Sequence, residues 1–326
     1  MTDWHIFRGD GDPHQWEAPP APPWRQFAGG PTVTLAAGSA GSRPADTERA
    51  KAYCANPTDV ELINVAIFLR RPLLITGKPG TGKSTLAYAV AHELGLDPVL
   101  RWPITSHSTL QDGLYSYDAI ARLQDANLAQ HQAGPPPQIG RYVQLGPLGA
   151  ALLPYERPRV LLIDEIDKSD IDLPNDLLNV LEEGEFTIRE LARIADTDAD
   201  VEVKVPDLAG PATIHEGQVC CRAFPLVFMT SNGERDFPPA FLRRCVRLDL
   251  MEPDEHRLTR IVNAHLGPDV GAESADLVDR FLQARTRGEL ATDQLLNAIF
   301  LTSNIARAGR DRTDLVDLVL RHLSTR

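Results

Sequence analysis

Pro72-Leu-Leu-Ile-Thr76-Gly77-Lys-Pro79-Gly80-Thr81-Gly82-Lys83-Ser84-Thr85 is the stretch that decides how this chain is read. Its first five residues form a short apolar run closed by glycine, the pattern of a buried strand. The eight residues Gly77 to Ser84 fit G-x-x-x-x-G-K-[ST] at every fixed position, and a helical pattern follows over Lys83–Leu94. Glycines there let successive backbone N–H groups turn toward phosphate oxygens, and the helix N-terminus adds partial positive charge. Lys83 is placed to bridge β- and γ-phosphates and Ser84 to put its hydroxyl on Mg²⁺. Gly77, Pro79, Gly80, Thr81, Gly82 and Thr85 complete the cradle. The bland alternative is a glycine-rich strand–helix turn with an accidental lysine, and the match on both flanks disfavours it.

Two further strand ends point at the same place. Arg159-Val-Leu-Leu-Ile163 is a buried-strand pattern ending in Asp164-Glu165. Carboxylates at the carboxyl end of a parallel strand face the crevice where such sheets bind ligands. Asp164 is placed to hold Mg²⁺, and Glu165 to polarise an attacking water. A glutamate beside the magnesium aspartate favours hydrolysis over transfer to a second substrate. Pro225-Leu-Val-Phe-Met-Thr230 then runs into Ser231-Asn232-Gly233. That tripeptide alone is a turn signal. As a third strand end on one crevice, it makes Asn232 a reader of the γ-phosphate.

Outward from this centre, Thr58 with Glu61 has the spacing of a capping box before Leu62, Val65, Ala66 and Leu69. Pro98–Trp102, Val160–Ile163, Leu226–Met229 and Val246–Leu250 read as further strands, with helical patterns between them. The expectation is an α/β fold, a parallel sheet covered on both faces. After Glu252 only helical patterns remain: His256–Leu266, Leu277–Ala284, Thr292–Ile305 and Thr313–Leu323. The predicted organisation is an extended tail over 1–50, a nucleotide-binding domain over 51–251 and a helical lid over 252–326. Inserts are expected at about 126–145, including HQAGPPPQ, and at 184–222. Within the second insert, Gly184–Glu190 and Val201–Val205 alternate like a hairpin pair.

The chain has 326 residues and a net charge of −12, of which −11 falls within residues 164–207. That block repels phosphates, which argues against nucleic acid and for a basic or polar polypeptide as partner. No apolar run approaches a membrane span and the first residues are no signal peptide, so a cytoplasmic protein is expected. Four scattered cysteines form neither a disulfide framework nor a zinc pair. Trp4, Phe7, Trp16, Trp24 and Phe27 lie in the proline-rich tail. They read either as a poorly ordered terminus or as anchors that dock on a partner or a neighbouring subunit.

Together these residues resemble an AAA+ ATPase from about Asp59 to Leu250, with a lid-like stretch behind. Gly146-Pro-Leu148, LLIDEID and Leu177-Leu-Asn-Val-Leu-Glu-Glu183 resemble the MoxR-like branch, as does Ala223–Asp236. Arg101–Asp125 is similar to MoxR-like ATPases associated with bacterial conflict systems. The resemblance implies a P-loop NTPase sheet of order 5-1-4-3-2, a helical lid, and a homo-oligomeric ring, usually a hexamer, with ATP and Mg²⁺ held between neighbours. It also implies that Arg244, with Arg243 beside it, reaches the γ-phosphate of the adjacent subunit. One departure concerns the lid, where Asp293 stands near the usual arginine, leaving Arg285 or Arg287 as substitutes. The leading function is a chaperone-type ATPase that remodels a protein partner. The alternatives are a nucleic-acid motor or restriction-type NTPase subunit, and an ATP-dependent switch or scaffold.

Overall fold

In the computed structural model, which describes residues 4–33, 44–131, 137–206, 208, 210–267, 270, 274–285 and 292–306, the fold grows from five short parallel strands. Those flanking the phosphate loop come first: helices α1 (Pro44–Ala52) and α2 (Pro57–Leu69), strand β1 (Leu73–Thr76) and helix α3 (Lys83–Glu93). Strand β2 (Leu100–Pro103) leads into α4 (Leu110–Leu114), β3 (Tyr115–Tyr117), α5 (Ala119–His131), β4 (Val143–Leu145) and α6 (Pro147–Ala151). Then come β5 (Val160–Asp164), α7 (Leu173–Glu183), β6 (Glu185–Thr187), α8 (Arg189–Ala192), β7 (Asp200–Val203), β8 (Ala212–His215) and β9 (Gln218–Cys220). Strand β10 (Leu226–Ser231), α9 (Pro239–Leu242) and β11 (Val246–Asp249) complete the sheet, followed by α10 (Glu255–Leu266), α11 (Ala275–Arg285) and α12 (Thr292–Ala306).

The central sheet has the order β11-β1-β10-β5-β2 with every pairing parallel, which is the expected 5-1-4-3-2. Strand β5 is buried at all five positions, as a central strand covered on both faces must be. Alternation splits its side chains between two cores. Leu161 and Ile163 join Leu74 and Met229 on one face, while Leu162 packs with Leu73, Ile75, Phe228 and Leu86 on the other. A third apolar cluster holds α10, α11 and α12 together through Leu258, Val262, Phe281, Leu295 and Ile299. The predicted helix Thr313–Leu323 lies outside the described residues, as do Arg287 and residues 132–136 of the proline loop. Among the described residues, no helix is long and apolar enough to cross a membrane.

Three local readings are corrected. Helix α2 is capped by Asn56, whose side chain accepts from Asp59 N while Asp59 reaches back to the Asn56 N–H. Pro57 favours this earlier start, because its missing N–H and fixed φ suit the first helical position. The box is therefore Asn56/Asp59 rather than Thr58/Glu61. Second, β6 and β7 do not pair with each other. They are the two edges of an antiparallel sheet of order β6-β9-β8-β7, with β8 and β9 between them. Third, a helix begins inside the stretch expected to be an extended tail over 1–50. Helix α1 opens on proline, carries Asp46 in its first turn, and buries Ala50.

Residues 4–33 contain almost no regular structure, yet they are packed on the chain's own α/β layers. Asn64 on α2 accepts from the backbone N–H groups of Ile6 and Phe7 and donates to Phe7 O, pinning a Phe7 ring that is 1% exposed. Glu93, at the end of α3, takes the N–H groups of Arg8, Gly9 and Gly11. Trp16 donates its indole N–H to Leu94 O at 2.8 Å. Trp24 is the exception, 75% exposed. Extended backbone needs partners for its polar groups, and buried side chains of α2 and α3 supply them.

Phe7→Ala is expected to lower the unfolding free energy by about 3–5 kcal/mol, the usual cost of deleting a fully buried ring. Urea denaturation of the full chain checks this. A loss below about 1 kcal/mol would mean that the segment lies loosely on the surface.

Candidate functional site

The carboxyl ends of β1, β10, β5 and β2 are neighbours in the sheet, so whatever follows each strand meets above one edge. The loop after β1 is shaped by Gly77 and Gly82, at φ 147° and 92°. A Cβ on Gly77 would sit 2.6 Å from Leu250 O, so no other residue fits there. Lys83 Nζ donates across the loop to Gly77 O at 2.6 Å and Lys78 O at 2.8 Å. Burial lowers the pKa of this amine, against the pull of Asp167, Glu165 and Asp164. Thr81 ties the loop further by donating to Lys78 O at 2.9 Å.

Asp164, 7% exposed, gathers three elements. Its Oδ1 accepts from Ser84 Oγ at 2.7 Å and from Thr230 Oγ1 at 2.9 Å, and its Oδ2 accepts from Arg101 Nη2 at 2.7 Å. Burial alone would raise the carboxyl's pKa. The hydrogen bonds from Ser84, Arg101 and Thr230 outweigh it and hold the pKa below the ordinary value of 3.8. Glu165 follows at φ 63°, ψ 50°, a left-handed conformation that costs a non-glycine residue about 1 kcal/mol or more. Its N–H is fixed on Thr230 Oγ1 at 2.8 Å, and its carboxylate accepts from Lys168 Nζ at 2.8 Å. The turn after β10 is held from below by Asp167, 2% exposed, whose Oδ2 accepts from the N–H groups of Asn232 and Glu234 at 2.8 and 3.1 Å.

These residues line a cleft of about 440 Å³. Pro79, Gly80, Thr81, Gly82, Lys83, Ser84, Thr85, Asp164, Glu165 and Asn232 all face it. Thr292, Asp293 and Leu296 of α12 and Arg257, Ile261 and His265 of α10 close its far side, and Tyr53 and Cys54 lie between. Asp293 therefore does sit at the cleft. Arg285 does not line it: its guanidinium donates to Pro253 O at 2.9 Å and lies over the Phe281 ring. Arg257 of α10 does line the cleft, 3.7 Å from Asp59 and over the Tyr53 ring.

Arg243 and Arg244 stand elsewhere. They follow α9 and precede β11, whose first residue donates to Pro72 O, so they flank the amino ends of β11 and β1. The phosphate loop leaves β1 at its other end. Arg244 Nε is bonded to Glu182, and Arg243 O accepts from Arg71 Nη1 at 2.7 Å.

Sequence reasoning missed Thr230, Asp167, Arg101 and Arg257. Thr230 and Asp167 stood inside the quoted strand and the LLIDEID run, but nothing in a single chain distinguishes a wiring polar residue from a strand terminator.

A parallel sheet whose first strand feeds a glycine loop, with lysine, serine and an acidic pair converging there, defines a P-loop nucleoside triphosphatase. A family model described as the AAA domain, dynein-related subfamily, matches residues 72–245. The chain belongs to that family. The matched span carries the loop, the acidic pair, Asn232 and both arginines, and leaves the N-terminal segment and helices α10–α12 outside. No curated protein matches the chain.

The Arg101–Asp164 pair has a pH consequence. Because the folded pKa of Asp164 is depressed, the stability it confers is complete above about 3.8 and is lost as pH falls through the lower folded value. In Arg101→Met, the Asp164 carboxyl is expected to titrate higher than in the wild type, because one of the hydrogen bonds holding it down is lost, and acid unfolding to begin at higher pH. Carboxyl ¹³C NMR against pH checks it, and an unmoved Asp164 titration would mean the two groups are not coupled.

Proposed function

We propose that the chain binds ATP with Mg²⁺ in this cleft and hydrolyses it between subunits of a homo-oligomeric ring, using the cycle to remodel or activate a protein partner. The observation that carries this reading is a separation. The phosphate loop, Asp164, Glu165 and Asn232 converge on one cleft, whose own arginines, Arg101 and Arg257, are paired with Asp164 and Asp59, while Arg244 lies at the opposite end of the sheet. An arginine so placed serves a cleft on another copy. A heterologous contact of this kind makes a ring when its rotation closes, which is the assembly proposed here. A hexamer is the closure usual for the resembled MoxR-like branch.

The residues fit the nucleotide. The Gly77–Ser84 loop is a backbone cradle at the start of α3, and Lys83 is folded over it within reach of phosphate oxygens in the cleft. Ser84 Oγ and Asp164 Oδ1, 2.7 Å apart, are two hard oxygen ligands of the kind that bind Mg²⁺ alongside water and phosphate. When bound, Mg²⁺ neutralises charge building up on the β- and γ-phosphates. Glu165 orients and polarises the attacking water, with its backbone locked by Thr230. Asn232 contacts the γ-phosphate from a turn fixed by Asp167. Arg244, supported by Arg243, enters from the neighbouring copy. The acidic exposed face of the β6–β9 sheet is suited to a basic or polar polypeptide and repels nucleic acid.

Lys83→Ala is expected to abolish nucleotide binding measured with a fluorescent ATP analogue. Glu165→Gln should bind ATP and assemble while turning over at least about 10²-fold more slowly. Arg244→Ala should bind normally and lose about 10³-fold in turnover. Mixing Arg244→Ala with Glu165→Gln subunits should restore activity above either alone, since each supplies what its neighbour lacks. Full turnover in Arg244→Ala, or no recovery on mixing, would remove the shared-site reading.

A further inference from the structure

We infer that Arg25, in the N-terminal segment outside the matched family span, is a positioning residue for Arg244 and acts through the end of α7. This rests on the reading of Arg244 as the residue supplied in trans. The chain of contacts is direct. Arg25 Nη1 donates to Glu182 O at 2.8 Å, and its Nη2 donates to Leu181 O at 2.9 Å and Arg70 O at 2.6 Å. One guanidinium thus binds the last carbonyls of α7 and the terminal carbonyl after α2, where a cation also meets the negative helix ends. Glu182, held by its backbone in this way, presents its side chain to Arg244 Nε. Arg244 Nη1 donates to Ala240 O at 3.2 Å, and Nη2 has no partner among the described residues. The Arg244 side chain is 44% exposed, so solvent or another copy can reach it.

The N-terminal segment is built around this joint. The Arg25 guanidinium lies 5.2 Å from the Phe27 ring centroid and 4.6 Å from that of Phe224, and the two rings stack. Gly184 ends α7 at φ 67°, and a Cβ there would strike Phe27 and Cys221 at 2.6 and 2.7 Å. Gly29 N donates to Cys221 O at 3.1 Å, and Cys221 N donates to Gly184 O at 2.9 Å. Arg71, next to the Arg70 carbonyl that Arg25 binds, holds Arg243 O. The segment, the ends of α2 and α7, and the arginine pair are one connected unit around a pocket of about 190 Å³.

Arg25→Ala in the full chain should leave nucleotide affinity and KM within about twofold and lower kcat about 10²-fold, the scale set by a misplaced catalytic group. Arg25→Lys should recover part of the loss, since an ammonium reaches some of the three carbonyls but not all in one plane. Glu182→Ala, at an exposed side chain that does not threaten folding, should give the same kcat-only defect. Mixed with Glu165→Gln subunits, which carry intact Arg25, Glu182 and Arg244, each variant should regain turnover above either parent. A kcat within twofold of wild type for both Arg25→Ala and Glu182→Ala overturns the inference. So does a defect that mixing does not relieve, which marks a damaged fold. Arg244→Ala separates the two levels: if it turns over normally, the trans reading and this inference fall together. If it is inactive and complemented while the Arg25 variants are normal, only this inference falls.

Discussion

The buried carboxylate of Asp164 is the constraint on which the rest of the site depends. A charge removed from water is tolerated only when partnered on all sides. Here the partners come from the start of α3, the end of β10 and the middle of β2. One carboxylate therefore fixes the relative height of four strand ends. The parallel order makes this possible, because β1, β10, β5 and β2 deliver their carboxyl ends side by side. A one-residue slip of β5 would turn Asp164 to the opposite face and leave three donors without an acceptor.

The same economy extends to the backbone beyond the strands. Thr230 Oγ1 accepts from Glu165 N and donates to Asp164, so a single hydroxyl holds the strained turn that aims Glu165 at the cleft. Asp167, two residues later, takes the N–H groups of Asn232 and Glu234. The turn after β5 and the turn after β10 are thereby each held by a polar group of the other. Neither shifts without breaking a buried bond at a cost of about 1–3 kcal/mol. The left-handed Glu165 persists because its neighbours over-determine it.

What the sequence made legible was chemistry carried by local pattern. Eight consecutive positions spell the loop, and short apolar runs mark the five central strands to within two residues at either end. What it hid was pairing. Residues 185–187 and 200–203 alternate as edge strands do, but a period of two identifies a strand without naming its neighbour, so two intervening strands went unseen. The N-terminal segment was hidden for a related reason. Its proline and tryptophan content offered no period to read, and its docking is done by backbone N–H groups on Asn64 and Glu93, which composition does not register. Arg101 was hidden by its place on β2, where an exposed position on an edge strand reads as solvated.

The acidic block also divides once each side chain has a place. Asp164 and Asp167 are inside the site, Glu182 is bound to Arg244, Glu190 accepts from Tyr115 Oη at 2.8 Å, and Asp200 pairs with His215 at 2.9 Å. The block's other exposed acids among the described residues are Asp170, Asp172, Asp176 and Glu183 around α7, Glu185 and Glu202 on the β6–β9 sheet, and Asp196 and Asp198 in the loop before β7, against exposed Arg189, Arg193 and Lys204. That remainder still has the sign that repels phosphate, which is what supports the proposed polypeptide partner over nucleic acid. That support now rests on the exposed carboxylates around α7 and beside the β6–β9 sheet, with those of the site and the ion pairs set apart. A partner recognised there meets an element that follows α7 directly, the helix whose end holds Glu182, so partner contact and the arginine joint share one short stretch of chain.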